Sequence, residues 1–369
     1  MKIAQIPPLY EAVPPKLYGG TERVVAQLCE ALVDLGHDVT LFASADAQTR
    51  AHLIPVRDQS IRLDAAPLKS DVAAHLSMLG ELRDRKDQFD IIHFHTDMLH
   101  FTMFEDMAAR TVTTLHGRLD LKDLPPVYRR WSKFPLVSIS DSQRVHLPFA
   151  NWVSTVYHGM QADLSRWFSP QPRGYLAFLG RMSPEKGPDR AIEIARRLGM
   201  PLKMAAKVDT ADAQYFREAI VPMLDDPLIE YIGEIDETQK PGFLGGAAAL
   251  LFPIDWPEPF GLVMIEAMAC GTPVIGFGCG SALEVIDDGV TGFLVKDVDA
   301  AVAAVGALDK LDRREVRRRF DRRFSATAMA RGYLDVYADR LAKAPFAAHL
   351  ADPDLDEASS ALTAMAQIA

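Results

Sequence analysis

Apolar residues come in short, nearly continuous runs along the whole chain, with helical stretches between them. In the first half the runs are KIAQIP, VTLFAS, DIIHFHT, TVTTLHG, PLVSIS and STVYHG; in the second they are YLAFLG, LKMAAK, IEYIGE, ALLFP, PVIGF and GFLV. Runs that do not alternate apolar with polar residues belong to strands covered on both faces, as in parallel sheets. Amphipathic stretches such as Thr21–Leu35 and Asp189–Leu198 lie between runs. This βαβ rhythm occurs twice and predicts an α/β protein of two Rossmann-like, doubly wound domains. Between them, Asp163–Tyr175 (DLSRWFSPQPRGY) keeps no period and is broken by Pro and Gly, which marks a linker. The expected units are residues 1–165, residues 166–325, and C-terminal helices over 326–369, with the chain helical to about Lys343.

A length of 369 residues suits two domains, and 49% hydrophobic residues can fill two cores. The formal charge of −10 argues against a general nucleic-acid binder, which would be basic. Three cysteines, Cys29, Cys270 and Cys279, have neither a paired framework nor metal-ligand spacing, as in a reducing compartment. The start, MKIAQIPPLYE, reads as a first strand rather than a signal peptide. No apolar run approaches the length of a membrane span. A soluble, cytoplasmic protein is expected.

Open α/β sheets bind ligands outside the carboxyl ends of their strands, so polar residues directly after strands are the candidates. In EPFGLVMIEAMACGTPV, Glu258–Val274, a helix begins near Phe260–Gly261. At about 100° per residue, Glu266 falls within the apolar arc of Leu262, Ile265, Ala269 and Cys270. A carboxylate turned inward costs several kcal/mol unless it is paired or hydrogen-bonded. Either a buried Arg or Lys pairs it, or a polyhydroxylated ligand donates to it. Glu258 precedes the helix, whose free amides suit a phosphate or sugar oxygen, and Gly261 permits close approach. In RMSPEKG, Arg181 and Lys186 stand five apart across a strand-to-helix turn, a pattern that suits a diphosphate or else a solvated surface. Gly19 and Gly20 precede a helix for which Thr21 is a plausible N-cap. His116 ends the strand TVTTLHG.

The segment EPFGLVMIEAMACGTPVIG, with GSALEVIDDGVTGFLV after it, resembles the retaining glycosyltransferases of family 4, which have the GT-B fold. It matches that family's pattern at Glu258, Glu266, Ala267, Met268, Ala269, Gly271, Pro273 and Val274, and RMSPEKG matches its donor-phosphate motif. The resemblance implies transfer of a hexose from a nucleotide diphosphate sugar, UDP- or GDP-linked, to an acceptor hydroxyl. Retention of anomeric configuration, a donor phosphate oxygen as proton acceptor, and no cofactor or metal are further implications. It places Glu258 near the transferred sugar, Glu266 at the ribose, and Arg181 and Lys186 at the diphosphate. Gly19 and Gly20 would close over the phosphate, and Phe260, Gly261 and Leu262 would flank the donor at the helix start. His116 would lie near the sugar and acceptor, Ser140 and Ser142 on the acceptor side, and Gly233 and Glu234 near the base. Glu284 reads as structural. The acceptor is a small molecule, a glycan or a lipid-linked sugar, and the final helices would cross back to the first domain.

Other signals weigh less. HFHTDMLH resembles part of a metallo-β-lactamase motif, but Met98 stands where a further histidine is needed. GFGCGSA misplaces its third glycine for a dinucleotide fingerprint. Asp297 (DVD) and Asp352 (DPDLD) follow no strand in a nucleotide-binding context and read as solvated charge. The run RREVRRRFDRRF, Arg313–Phe324, reads as a solvated helix face or a contact for an anionic partner, and VYRRWSKF, Val127–Phe134, as a contact for a lipid or anionic acceptor. Rival readings are a sugar-nucleotide epimerase, a phosphorylase, a silent sugar-nucleotide-binding protein and, least favoured, a nicotinamide oxidoreductase.

Overall fold

A computed structural model of the chain describes residues 1–16, 19–163, 168 and 174–343. Most of the expected linker and the tail after Lys343 lie outside the described residues. Among the described residues, two parallel sheets account for every strand. The first contains β1 (Lys2–Ile6), β2 (Asp38–Ser44), β3 (His52–Arg57), β4 (Ile91–Phe94), β5 (Thr111–Thr114), β6 (Leu136–Ser138) and β7 (Trp152–Thr155). The second contains β8 (Tyr175–Arg181), β9 (Leu202–Lys207), β10 (Ile229–Gly233), β11 (Ala247–Phe252), β12 (Val274–Phe277) and β13 (Gly292–Val295). Their orders are β3-β2-β1-β4-β5-β6-β7 and β10-β9-β8-β11-β12-β13. This is the doubly wound pair of sheets that the hydrophobic runs predict.

Each sheet reverses its winding once, between β1 and β4 and between β8 and β11. A crevice opens at such a switch point because the connections leave it in opposite directions. β8 ends in Arg181, the segments that follow β1, β8 and β11 carry Gly19–Gly20, Lys186 and Glu258, and that after β4 carries His95. Two apolar layers cover each sheet: the cluster that includes Ile3, Val25, Leu41 and Val112 and the one that includes Phe42, Phe94 and Phe101 flank the first sheet. Equivalent clusters flank the second.

The runs account for twelve of the thirteen strands. β3 escapes them because Pro55 interrupts its short apolar stretch LIPV, a proline tolerated there because β3 is a half-exposed edge strand. The first helix, Gly20–Asp34, begins one residue before Thr21; Gly19 is its N-cap, and no side chain caps it. Thr21 is therefore not the cap.

The last helix, Ala326–Lys343, packs on the first helix and places Met329, Ala330, Tyr333, Val336 and Tyr337 in the first sheet's core. Where the described chain passes between the two halves, Met160 N–H bonds the Phe324 carbonyl and Ala326 N–H bonds the Met160 carbonyl. The basic run forms the helix Arg313–Arg323, and part of it faces inward. Arg317 is 6% exposed and donates to the carbonyls of Ala269 and Ala162, while Arg313 donates to those of Gly245 and Ala247. These arginines satisfy orphan carbonyls at helix and loop ends, a use that a charge run does not announce. None of the described helices is long and apolar enough to cross a membrane.

Candidate active site

The two sheets meet across a cleft of about 600 Å³. Its lining includes Gly19, Gly20, Arg23 and His116 from the first half, and Arg181, Lys186, Glu234, Lys240, Glu258, Phe260, Gly261, Leu262 and Glu266 from the second. Seven cationic side chains (Lys16, Arg23, Arg118, Arg181, Lys186, Lys207 and Lys240) stand there against five carboxylates (Glu234, Asp236, Glu237, Glu258 and Glu266). The cleft is thus net positive by two in a chain of net charge −10, which favours an anionic ligand.

β11 delivers its loop to a helix, Leu262–Ala269, whose N-cap is Gly261 at φ +75°. An added Cβ there would lie 2.9 Å from the Phe252 ring, so both backbone angle and space require glycine. Gly187 meets a similar demand after β8. Its φ is +69°, and a Cβ would collide with the Pro253 carbonyl oxygen. That turn ends the short helix carrying Lys186 and opens the helix Pro188–Leu198.

Glu266 is 3% exposed, and the cations that balance it are visible. Lys240 Nζ lies 2.7 Å and Arg23 Nη1 3.1 Å from its Oε1. Burial pushes the carboxyl up, but Lys240 and Arg23 outweigh this and hold it below the usual range. Its burial therefore does not depend on a ligand's hydroxyls. Arg23 reaches it from the opposite half, and both cations also bind Glu237, each at 2.6 Å. Both contacts to Glu266 converge on Oε1, and Glu266 still lines the cleft.

The two motif cations are paired as well. Lys186 bonds Glu258 and lies 4.9 Å from the centre of the Trp256 ring. Arg181 bonds Glu185 at 2.6 Å and approaches Asp209 at 3.7 Å.

On the first half's wall, His116 Nε2 is 2.8 Å from His95 Nδ1, and the His116 ring stacks on His158 with centroids 5.1 Å apart. Burial lowers the His116 pKa to about 3 and that of His158 well below its ordinary value, so both are neutral. The Nδ1 atoms of both rings are buried with no hydrogen-bond partner.

Three sequence candidates sit elsewhere. Ser140 is fully buried and donates to the Pro259 carbonyl at 2.6 Å, with Ser142 Oγ 3.0 Å away, so this pair fastens the two halves rather than lining the cleft. Gly233, at φ +76°, ends β10 one residue short of the cleft wall, and Glu234 is the residue that lines it. Glu284 accepts from the amides of Asp141 and Ser142, both at 2.7 Å, a second fastening. His93 and His95 share a strand face, but both His93 nitrogens are bound, by Tyr337 and Thr114.

Sequence reasoning missed Arg23, Lys240, Trp256 and His158. His158 follows β7 and obeys the same strand-end rule that selected His116. Lys240 and Arg23 lie on helices in no motif, and only the fold brings them to Glu266.

Two parallel α/β sheets that face one another across a basic cleft have the GT-B architecture. The model of glycosyl transferases group 1 matches residues 161–325, and that of glycosyltransferase family 4 matches residues 18–173. The chain belongs to these family 4 glycosyltransferases. It is 26% identical to the phosphatidyl-myo-inositol mannosyltransferase of Mycobacterium leprae, over 86% of this chain and 89% of that one. It is likewise 26% identical to a glycogen synthase of Mycobacterium tuberculosis, over 87% and 92%. Among solved structures it is similar in fold to AviGT4, a glycosyltransferase involved in avilamycin A biosynthesis (TM-score 0.70, 24% identity, 93% and 99% covered). It is similar in the same way to Anabaena HepE in complex with UDP and glucose (TM-score 0.69, 17% identity, 92% and 100% covered).

Proposed function

We propose that the protein transfers a hexose from a UDP- or GDP-sugar to an acceptor hydroxyl with retention of configuration and without a metal ion. The observation that carries this reading is the placement of Arg181 and Lys186 at the switch point after β8, in a net-positive cleft, opposite Gly19–Gly20. In this reading the diphosphate exchanges the carboxylate partners of Arg181 and Lys186 for its own oxygens. The amides at the start of Leu262–Ala269 add donors. Charge on the departing diphosphate is thus met by fixed cations and dipoles, the main source of rate acceleration expected for such a transfer.

Glu266, with both cations on Oε1, offers Oε2 to the ribose hydroxyls. Glu258, freed from Lys186 by the diphosphate, faces the sugar. A donor phosphate oxygen takes the acceptor proton, so no enzyme nucleophile is required. His116, neutral at physiological pH, takes part as a hydrogen-bond partner rather than as an acid. Closure of the two halves excludes water and protects the donor. The protein works in the cytoplasm, where nucleotide sugars are made, and the acceptor is a small molecule, a glycan or a lipid-linked sugar.

The test is a panel of nucleotide sugars and acceptors in the presence of EDTA, with nucleoside diphosphate release measured and the product anomer read by NMR. Acceptor-dependent release with retention supports the proposal. Donor isomerisation without an acceptor would replace it with epimerisation, and binding without turnover with a silent protein.

A further inference from the structure

A chain of buried hydrogen bonds runs from the last helix to His116. Gln5 Nε2 donates to the Tyr337 hydroxyl at 3.1 Å, and Gln5 Oε1 lies 2.8 Å from His95 Nε2. His95 Nδ1 then meets His116 Nε2 at 2.8 Å. On the other side, the Tyr337 hydroxyl lies 2.7 Å from His93 Nδ1, and His93 Nε2 lies 2.7 Å from Thr114 Oγ1. Gln5, Tyr337, His93 and His95 are each 3% exposed or less, so water does not break the chain.

Each neutral imidazole has one N–H and one lone pair, so the run from Gln5 through His95 to His116 has only two consistent directions. The Gln5 amide selects between them. With its oxygen toward His95, His95 must carry its proton on Nε2 and accept at Nδ1. His116 must then donate from Nε2, which leaves a lone pair on Nδ1, the buried atom with no partner. The Tyr337 hydroxyl, which receives from Gln5, gives its own proton to His93 Nδ1. His93 in turn donates from Nε2 to Thr114.

We propose that Tyr337 and Gln5, acting through His95, fix the tautomer of His116, a residue of the cleft wall, with its proton on Nε2 and its lone pair on Nδ1. The consequence for substrate rests on the transferase reading above; the tautomer itself does not. Tyr337, Gln5 and His95 are positioning residues. The last helix is thereby wired to the active site as well as packed on the first sheet. A His116 in the opposite tautomer would carry its N–H on Nδ1 and could not accept a hydrogen bond from a substrate hydroxyl there.

The test uses protein labelled with ¹⁵N-histidine and free of ligand. Two-bond ¹H–¹⁵N correlations distinguish the tautomers, and a His116→Gln variant assigns the His116 signals. The expected result is a single neutral His116 with its proton on Nε2. A proton on Nδ1, an imidazolium or averaging between the two tautomers in the wild-type protein overturns the proposal. Tyr337→Phe removes the hydroxyl that holds Gln5 and is expected to give averaged His116 shifts. It should lower kcat about tenfold with donor KM within twofold. In a His116→Ala background the same change should alter kcat less than twofold. An unchanged tautomer in Tyr337→Phe, or an equal loss in both backgrounds, marks Tyr337 as packing alone and also overturns the proposal. If no donor is turned over, the transferase reading fails while the wild-type spectrum still decides the tautomer.

Discussion

Lowering the pH from 6.5 to 5.5 should destabilise this protein severely, because five histidines are held neutral inside it. Burial keeps His93, His95, His100 and His158 well below the ordinary histidine range and His116 at about 3. In the unfolded chain each titrates near about 6.5. The folded values are depressed, so the unfolded state binds more protons as the pH falls, and stability falls with it. Over this interval each histidine contributes about 1 kcal/mol to the loss, or about 5 kcal/mol together. Glu22, whose carboxyl burial raises, takes up protons in the folded state and offsets part of this. A net loss of about 4 kcal/mol is expected, a large share of the roughly 5–15 kcal/mol available to a folded protein. Equilibrium urea unfolding followed by far-UV circular dichroism at the two pH values measures it. A loss below about 1 kcal/mol would mean that these rings are charged or solvated in the folded state. The account of His116 as a neutral hydrogen-bond partner would then be wrong.

Other perturbations have definite expected outcomes. Lys240→Met keeps the length of the side chain but leaves buried Glu266 with Arg23 alone. Breaking a buried pair costs about 3–5 kcal/mol, and the remaining arginine should reduce this to about 2–3 kcal/mol. Equilibrium urea unfolding of the variant and its parent at pH 7 would show it, and a cost below about 1 kcal/mol would mean that Arg23 alone balances the buried carboxylate. Gly187→Ala should cost about 3 kcal/mol from left-handed strain and the collision with the Pro253 carbonyl, as measured by urea unfolding. Glu266→Gln should weaken donor binding about tenfold if the ribose donates to Oε2, and a change under twofold in a donor titration would remove that contact.

Parallel topology was legible in the sequence because doubly covered strands need unbroken apolar runs. β3 was not, since an edge strand carries no such requirement. Arg181, Lys186, Glu258 and His116 could be found because each ends a strand or lies in the turn that follows one, and the fold turns strand ends into cleft walls. Glu266 was visible as an acid on an apolar arc, but its partners were not. Arg23 is 243 residues away on another helix, and no local pattern records a contact made only when the halves meet. Ser140 shows the opposite failure: a strand-end position that the interface between the halves claims for a hydrogen bond to Pro259.

The central claim is that the basic cleft binds a nucleoside diphosphate through Arg181 and Lys186. Calorimetric titration of the protein with UDP and with GDP, both in EDTA, measures this directly. The account predicts saturable binding of one of them, weakened at least a hundredfold in Arg181→Met/Lys186→Met (about 2.7 kcal/mol) while the thermal midpoint of the ligand-free variant stays close to that of the parent. Failure of both nucleotides to bind, or binding that the double variant leaves intact, would contradict it.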